Sequence, residues 1–176
     1  MSTEMDGSTE NTELDVLNDA LRGRFGETVA ATVAPNGDIR LEASANDLPA
    51  LSTFLRDDPS LRFDYPADLT AWDSGEEFVV WYRLHSMERN RNLIVRVRLE
   101  RIAPEVPSVT EVWPGMNWHE RECFDLYGIR FKGHPDSHDD TLMRILLPED
   151  WEGHPFRRDY EPFFSGNPLH GPQERN

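Results

Sequence analysis

The sequence predicts an α+β domain: two layers, with about four to five mostly antiparallel strands covered by helices, then an extended irregular C-terminal segment. Three observations carry this. Strand-like alternation comes in neighbouring pairs joined by short polar links, which is how hairpins read, not βαβ units. Amphipathic helical stretches precede and separate those pairs. Nine of the thirteen prolines fall after Ile102, and the segment they occupy has little periodicity of any kind. The 176 residues fit one domain with tails. The expected division is an acidic, disordered stretch at 1–10, an α+β core at 11–128, and a docking tail at 129–176.

The elements follow in order. From Thr12, Leu14, Leu17 and Leu21 recur at helical spacing, and Gly23 marks the stop. Thr28–Val33 and Asp38–Ala43 flank Pro35-Asn36-Gly37, an Asn-Gly turn between alternating runs and hence a tight hairpin. Asn46 or Asp47 caps a second helix with Pro49 in its first turn; Leu48, Leu51, Phe54 and Leu55 form its inner face. Asp57-Asp58-Pro59 ends it. Leu61–Tyr65 alternates and reads as a strand. Phe78–His85 and Leu93–Leu99 alternate more strongly, the first with Phe78, Val80, Tyr82 and Leu84 on one face, the second with Leu93, Val95, Val97 and Leu99 on one face, and the polar link Ser86–Asn92 joins them as a hairpin. Arg96 and Arg98, with Arg83, make a basic stripe on the opposite face, suited to local acids or to an acidic neighbour.

Composition excludes several function classes. A formal charge of −15 argues against binding nucleic acid, which needs a basic face. There is no apolar run long enough to span a bilayer and no signal-peptide pattern near the start, so any membrane association is expected to be indirect. The single cysteine, Cys123, cannot build an iron–sulfur site. No glycine-rich fingerprint follows a strand, so no dinucleotide site is visible. Lys132 is the only lysine among eighteen basic residues, a bias that fits either an acidic, salt-adapted surface or bidentate arginine contacts.

The most informative stretch is Trp118–Tyr160. Asn117 with Glu120 three residues on has capping-box spacing, and Gly128 suits a left-handed helix end. Between them Trp118, Phe124, Leu126 and Tyr127 alternate with Glu120, Arg121, Glu122 and Asp125, leaving no clean polar face. That implies a helix packed on two sides, with Arg121 and Asp125 able to pair. Glu120 and Glu122 point in different directions, which weakens an acid/base reading. After the helix, Gly133-His134-Pro135 and Gly153-His154-Pro155 set two fixed bends in an apolar, irregular segment expected to lie on a partner, with His134 and His154 bonding across the boundary. His134, Asp136, His138 and Asp139 offer a weaker alternative as metal ligands.

Glu120-Arg121-Glu122-Cys123-Phe124-Asp125-Leu126-Tyr127-Gly128-Ile129 resembles the signature of the 30-kDa subunit of NADH-quinone oxidoreductase, respiratory complex I. The resemblance continues through Phe131, Gly133-His134-Pro135-Asp136, Leu142-Met143-Arg144-Ile145-Leu146 and Glu152-Gly153-His154-Pro155-Phe156-Arg157-Arg158-Asp159-Tyr160. A weaker pattern runs from Phe78–Arg101 to Pro107-Ser108-Val109-Thr110. Ser137–Thr141 is an insertion relative to the family, expected to lengthen a surface turn.

The resemblance implies a cofactor-free accessory subunit of the hydrophilic arm of a complex that carries electrons from NADH through FMN and Fe-S centres to quinone, coupled to proton translocation. The implied partners are the large quinone-site subunit and the adjacent Fe-S subunit, in a hetero-oligomer on the cytoplasmic side of the cell membrane. No catalytic, cofactor-binding or metal residue is expected in this chain. The implied signature and interface residues are Glu120, Arg121, Glu122, Asp125, Gly128, Gly133, His134, Pro135, Arg144, Gly153, His154, Pro155, Arg157 and Asp159. An equivalent subunit of a membrane-bound hydrogenase or other complex I-like assembly is the alternative, and a His/Asp metallohydrolase the rival of another class.

Overall fold

The computed structural model describes residues 7–26, 29–35, 37–138 and 141–161. Helix α1 covers Gly7–Phe25, so it begins inside the stretch 1–10 expected to lack structure; residues 1–6 lie outside the described residues. Leu17 and Leu21 are buried, and the Asn18 side chain bonds both ways to Ala31, fixing α1 against the first hairpin. That hairpin pairs β1 (Ala31–Val33) with β2 (Ile39–Ala43) antiparallel, closed by Ala34 N–H on the Asp38 carbonyl at 2.8 Å; Asn36 lies outside the described residues. Helix α2 covers Leu48–Asp57 and buries Leu48, Leu51 and Leu55. Asp47 precedes it without a side-chain cap, because its carboxylate is held by the Ser44 hydroxyl at 2.7 Å.

The strand expected at Leu61–Tyr65 is corrected. Arg62 has a positive φ of 51°, and Phe63 N–H returns to the Leu55 carbonyl at 2.9 Å. Leu61 and Phe63 do enter the core, but from a loop folded around the end of α2. The strand is β3, Tyr65–Asp73. Its Pro66 is tolerated because β3 is an edge strand with a register shift between Pro66 and Asp68.

Strands β4 (Glu77–Ser86) and β5 (Arg91–Glu100) form the expected hairpin, long and central in the sheet, with Tyr82 opposite Val95 and Leu84 opposite Leu93. The sheet order is β1-β2-β5-β4-β3, antiparallel except where β2 runs parallel to β5. One face carries Leu41, Leu69, Phe78, Val80, Tyr82, Leu84, Leu93, Val95, Val97 and Leu99, all buried. With side chains of α1, α2 and α3 they form one continuous core, as expected for helices on a single face. On the other face, Arg96 pairs with Glu42 at 2.9 Å and stacks on Trp81, and Arg98 pairs with Glu42 and Glu77. Exposed Arg83 stands in register with Asp68. The basic stripe is thus largely matched by acids of this same chain.

A small parallel pair, β6 (Glu105–Pro107) with β7 (Arg130–Lys132), ties the segment after β5 to the residues after helix α3, Asn117–Tyr127. Ile129, Phe131 and Leu142 are buried in the main core, so the apolar residues after Gly128 are not all surplus to it. Around the insertion, β8 (Ser137–His138) and β9 (Thr141–Leu142) pair antiparallel, and residues 139–140 between them lie outside the described residues. Asp139, one of the candidate metal ligands, lies outside the described residues.

Candidate functional site

Helix α3 is packed on two sides, and each side buries one carboxylate. Glu120 and Asp125 are both fully buried. Five residues on a helix turn through about 140° beyond one revolution, so the two side chains serve opposite neighbours. The expected capping box does not form. Asn117 is already helical in φ and ψ, its side-chain amide donates to Asp136 at 3.1 Å, and Glu120 accepts from Val109 N–H at 2.8 Å. The donor comes from eleven residues upstream, brought in by the turn that follows β6.

Asp125 organises the segment 143–161, a strap lying along α3. Its Oδ2 accepts the backbone N–H groups of Ile145, Leu146 and Leu147 at 3.1, 2.7 and 2.9 Å. Its Oδ1 meets the Arg144 guanidinium at 2.5 Å. Burial opposes the charge, but the Leu147 N–H, Arg144, and the Leu146 and Ile145 N–H groups outweigh it and hold the carboxyl below its ordinary range. The expected Arg121–Asp125 pair is therefore replaced. Arg121 instead donates to the Met143 and Arg144 carbonyls at 3.1 and 2.9 Å.

The rest of the strap is pinned in the same way. Arg144 also donates to the carbonyls of Trp151 and Gly153 at 2.9 and 3.1 Å. His154 Nδ1 donates to the Asp125 carbonyl at 2.9 Å, and Phe156 N–H to that of Leu126 at 3.0 Å. Arg157 Nε donates to the Tyr127 carbonyl at 2.5 Å. These carbonyls are at the C-terminus of α3, where no intrahelical partner exists. Gly128 ends the helix at φ 72°. A Cβ there would come within 2.5 Å of the His154 ring, so glycine is needed both for conformation and for the close approach. At the far end, buried Asp73 takes Arg158 N–H at 2.8 Å and pairs with Arg101, which also holds Asp159 at 2.9 Å.

Within the chain itself, both histidines already have hydrogen-bond partners. His134 Nδ1 accepts from Asp136 N–H at 3.0 Å and Nε2 lies 3.2 Å from the Asn117 carbonyl. Both Gly-His-Pro bends are internal joints; Gly133 and Gly153 have φ of 78° and 81°, Pro135 is exposed and Pro155 half-buried. Glu122 is exposed and has no hydrogen bond or ion pair among the described residues. Among those residues no group of three or more His, Cys, Asp or Glu side chains could hold a metal.

While Asp125, Arg144 and Arg157 turn toward the chain's own backbone, several large apolar side chains are left exposed. Trp118, Met143, Leu146, Trp151 and Phe156 are 71, 45, 58, 36 and 57% exposed, all on α3 or the strap. Residues 41–163 match the model of the respiratory-chain NADH dehydrogenase 30 Kd subunit. The chain belongs to that family. It is 41% identical over 142 residues to the C subunit of NADH-quinone oxidoreductase from Roseiflexus sp. (strain RS-1), covering 79% of each chain. It is 44% identical over 126 residues to that of Roseiflexus castenholzii, covering 70% of each. The trypsin-resistant fragment of Nqo5 superposes with a TM-score of 0.57 at 25% identity, over 69% of this chain and 99% of the fragment. A chain of an archaeal membrane-bound sulfane sulfur reductase shares the fold, with a TM-score of 0.69 at 18% identity over 84% of each chain.

In this member of the 30-kDa family, the signature residues sort by what they touch. Asp125, Gly128, Arg144, His154 and Arg157 build the strap's seat, Arg121 holds its entry, and Glu120 and His134 lie in the core beneath. Sequence reasoning missed Asp73 and Arg101, which latch its far end. The one available signal was Asp73-Ser74-Gly75, where the carboxylate caps its own turn through Gly75 N–H at 2.8 Å.

Proposed function

We propose that this chain is a non-catalytic subunit of an NADH-quinone oxidoreductase, and that α3 and its strap present the surface on which a neighbouring subunit docks. The observation that carries this is the exposure of Trp118 on α3 and of Met143, Leu146 and Phe156 on a strap whose backbone is already hydrogen-bonded inward. Large apolar side chains clustered on an otherwise acidic surface mark an interface. Because the strap is ordered against its own helix, little conformational entropy is lost on docking. Aromatic residues such as Trp118 and Phe156 are the kind that dominate interface energy.

The neighbours proposed are the large quinone-site subunit and an adjacent Fe-S subunit, which with the flavin subunit would carry FMN and the clusters. This chain would hold no cofactor and attach to the cytoplasmic side of the membrane only through the complex. No helix among the described residues is long and apolar enough to cross a membrane. The NADH-linked reading is preferred over a hydrogenase-type assembly because the relatives at 41 and 44% identity are NADH-quinone oxidoreductase subunits.

Purification of the tagged chain from its native host under mild detergent tests this. Co-purification with Fe-S and quinone-site subunits and NADH-quinone activity is expected. Recovery as a lone monomer overturns the reading, and nickel-site cysteines in the large partner would replace it with the hydrogenase one.

A further inference from the structure

On the side of α3 away from the strap, three buried side-chain polar atoms have no hydrogen-bond partner among the described residues: Glu120 Oε2, Tyr82 Oη and Asn117 Oδ1. Asn117 and Glu120 are three apart on α3 and so share a face. Against that face lies His134, its side chain fully enclosed, with Nε2 at 3.9 Å from Glu120 Oε2. At first sight this is an ion pair. The hydrogen bonds say otherwise.

His134 Nδ1 receives the Asp136 backbone N–H at 3.0 Å. A backbone N–H can only donate, so Nδ1 must carry a lone pair and no proton. The ring hydrogen is then on Nε2, where the Asn117 carbonyl accepts it at 3.2 Å. His134 is therefore neutral and supplies no positive charge. Arg121, the one arginine of α3, donates to the Met143 and Arg144 carbonyls and pairs with Asp136 at 3.7 Å; its charge acts on His134, and it makes no ion pair with Glu120 among the described residues. The other titratable groups around the site, Tyr82 of β4 and Cys123 of α3, are acids whose ionisation the Glu120 charge opposes. Asp68 of β3, Glu122 of α3 and Asp136 of the turn add only negative charge nearby. A carboxylate at this position would be fully buried, with one oxygen unbonded and no counter-ion, an arrangement that proteins relieve by protonation.

We propose that Glu120 is carried as the neutral carboxylic acid in the folded chain, and that loss of its proton loosens the joint between α3 and the turn at His134. The competing state, Glu120 carboxylate with His134 imidazolium, would need the Asp136 N–H bond to break, because a protonated Nδ1 cannot accept it. Burial, only partly offset by bonds from Ser108 and Val109 N–H, raises the Glu120 carboxyl from 4.5 to about 7, in agreement with the geometry. The sign follows. A carboxyl whose folded pKa is raised makes its full contribution to stability below the unfolded value, here 4.5, and loses it as pH rises from there to the folded value of about 7. His134, lowered mainly by burial, acts the other way and costs stability as pH falls below its ordinary range.

Side-chain NMR of the full chain decides it. Expected are a Glu120 carboxyl carbon shift of the protonated form at pH 5 to 6, moving to the ionised form near neutrality, and a His134 ring with Nδ1 unprotonated. An ionised Glu120 beside a doubly protonated His134 at pH 6 overturns the proposal. As a second measurement, Glu120→Gln keeps shape and neutrality, so it should fold and remove an alkaline loss on the order of 10²-fold in the folding constant between pH 5 and 8. An unchanged alkaline loss in E120Q also overturns the proposal; should E120Q not fold, the NMR titration of the unaltered chain stands as the decisive result.

Discussion

The Asp125 carboxylate and the Arg144 guanidinium, nineteen residues apart in the chain, meet at 2.5 Å, and the same carboxylate takes the next three backbone N–H groups after Arg144. One fully buried side chain thereby turns an irregular segment into an ordered strap. Asp125→Ala would leave Arg144 half-buried without its partner and three N–H groups unbonded. A loss of roughly 3–5 kcal/mol is expected, read by urea unfolding. Hydrogen exchange at Ile145–Leu147 should rise more than at β4 and β5. Equal effects on strap and sheet would contradict the anchoring role.

Acid should release the strap before it unfolds the sheet. Asp125 and Asp73 are both held below the ordinary carboxyl value of 3.8; at Asp73, burial is outweighed by Arg158 N–H, Arg101 and Gly75 N–H. A lowered folded pKa gives stability that is present above the unfolded value and is lost as pH falls through the folded one. The loss therefore lies below about pH 4. Strap amide protection, measured relative to the intrinsic exchange rate between pH 5 and 2, should fall in that window, and Asp125→Asn should flatten the dependence.

Gly128→Ala combines a left-handed φ with a Cβ within 2.6 Å of His154 Nε2. The conformational cost alone is about 1 kcal/mol, and displacing His154 and Arg157 brings the expected loss to at least ~2 kcal/mol. Thermal unfolding checks this. A change under 0.5 kcal/mol would mean that the strap seat yields freely.

The outward residues should behave in the opposite way. Trp118→Ala, Leu146→Ala and Glu122→Ala remove exposed groups, so stability of the isolated chain should change by no more than ~0.5 kcal/mol. Recovery of assembled complex should nonetheless fall severalfold for Trp118→Ala, with turnover per complex retained. Normal assembly with lost turnover would reopen a catalytic role.

Much of the fold was legible because it is encoded locally. The alternation of Phe78–His85 and Leu93–Leu99, the Asn-Gly hairpin and the Gly128 helix end each depend on a few neighbouring residues and their φ preferences. Leu61–Tyr65 misled because alternating burial can also arise in a loop wound around a helix end. The capping-box spacing of Asn117 and Glu120 misled because Val109 N–H, delivered by the preceding turn, gave Glu120 a buried donor instead.

By itself, then, the sequence determined the layers, the order of elements and the family, since a contiguous signature survives translation into any set of coordinates. Only the tertiary structure decided which way each signature residue faces. Asp125, Arg144, His154 and Arg157 look like surface contact residues in a charged, irregular segment. In the folded chain they turn inward, because the last carbonyls of α3 and the N–H groups of residues 145–147 require partners once water is removed. Several of the apolar side chains left over stay exposed, and these make up the surface proposed for docking.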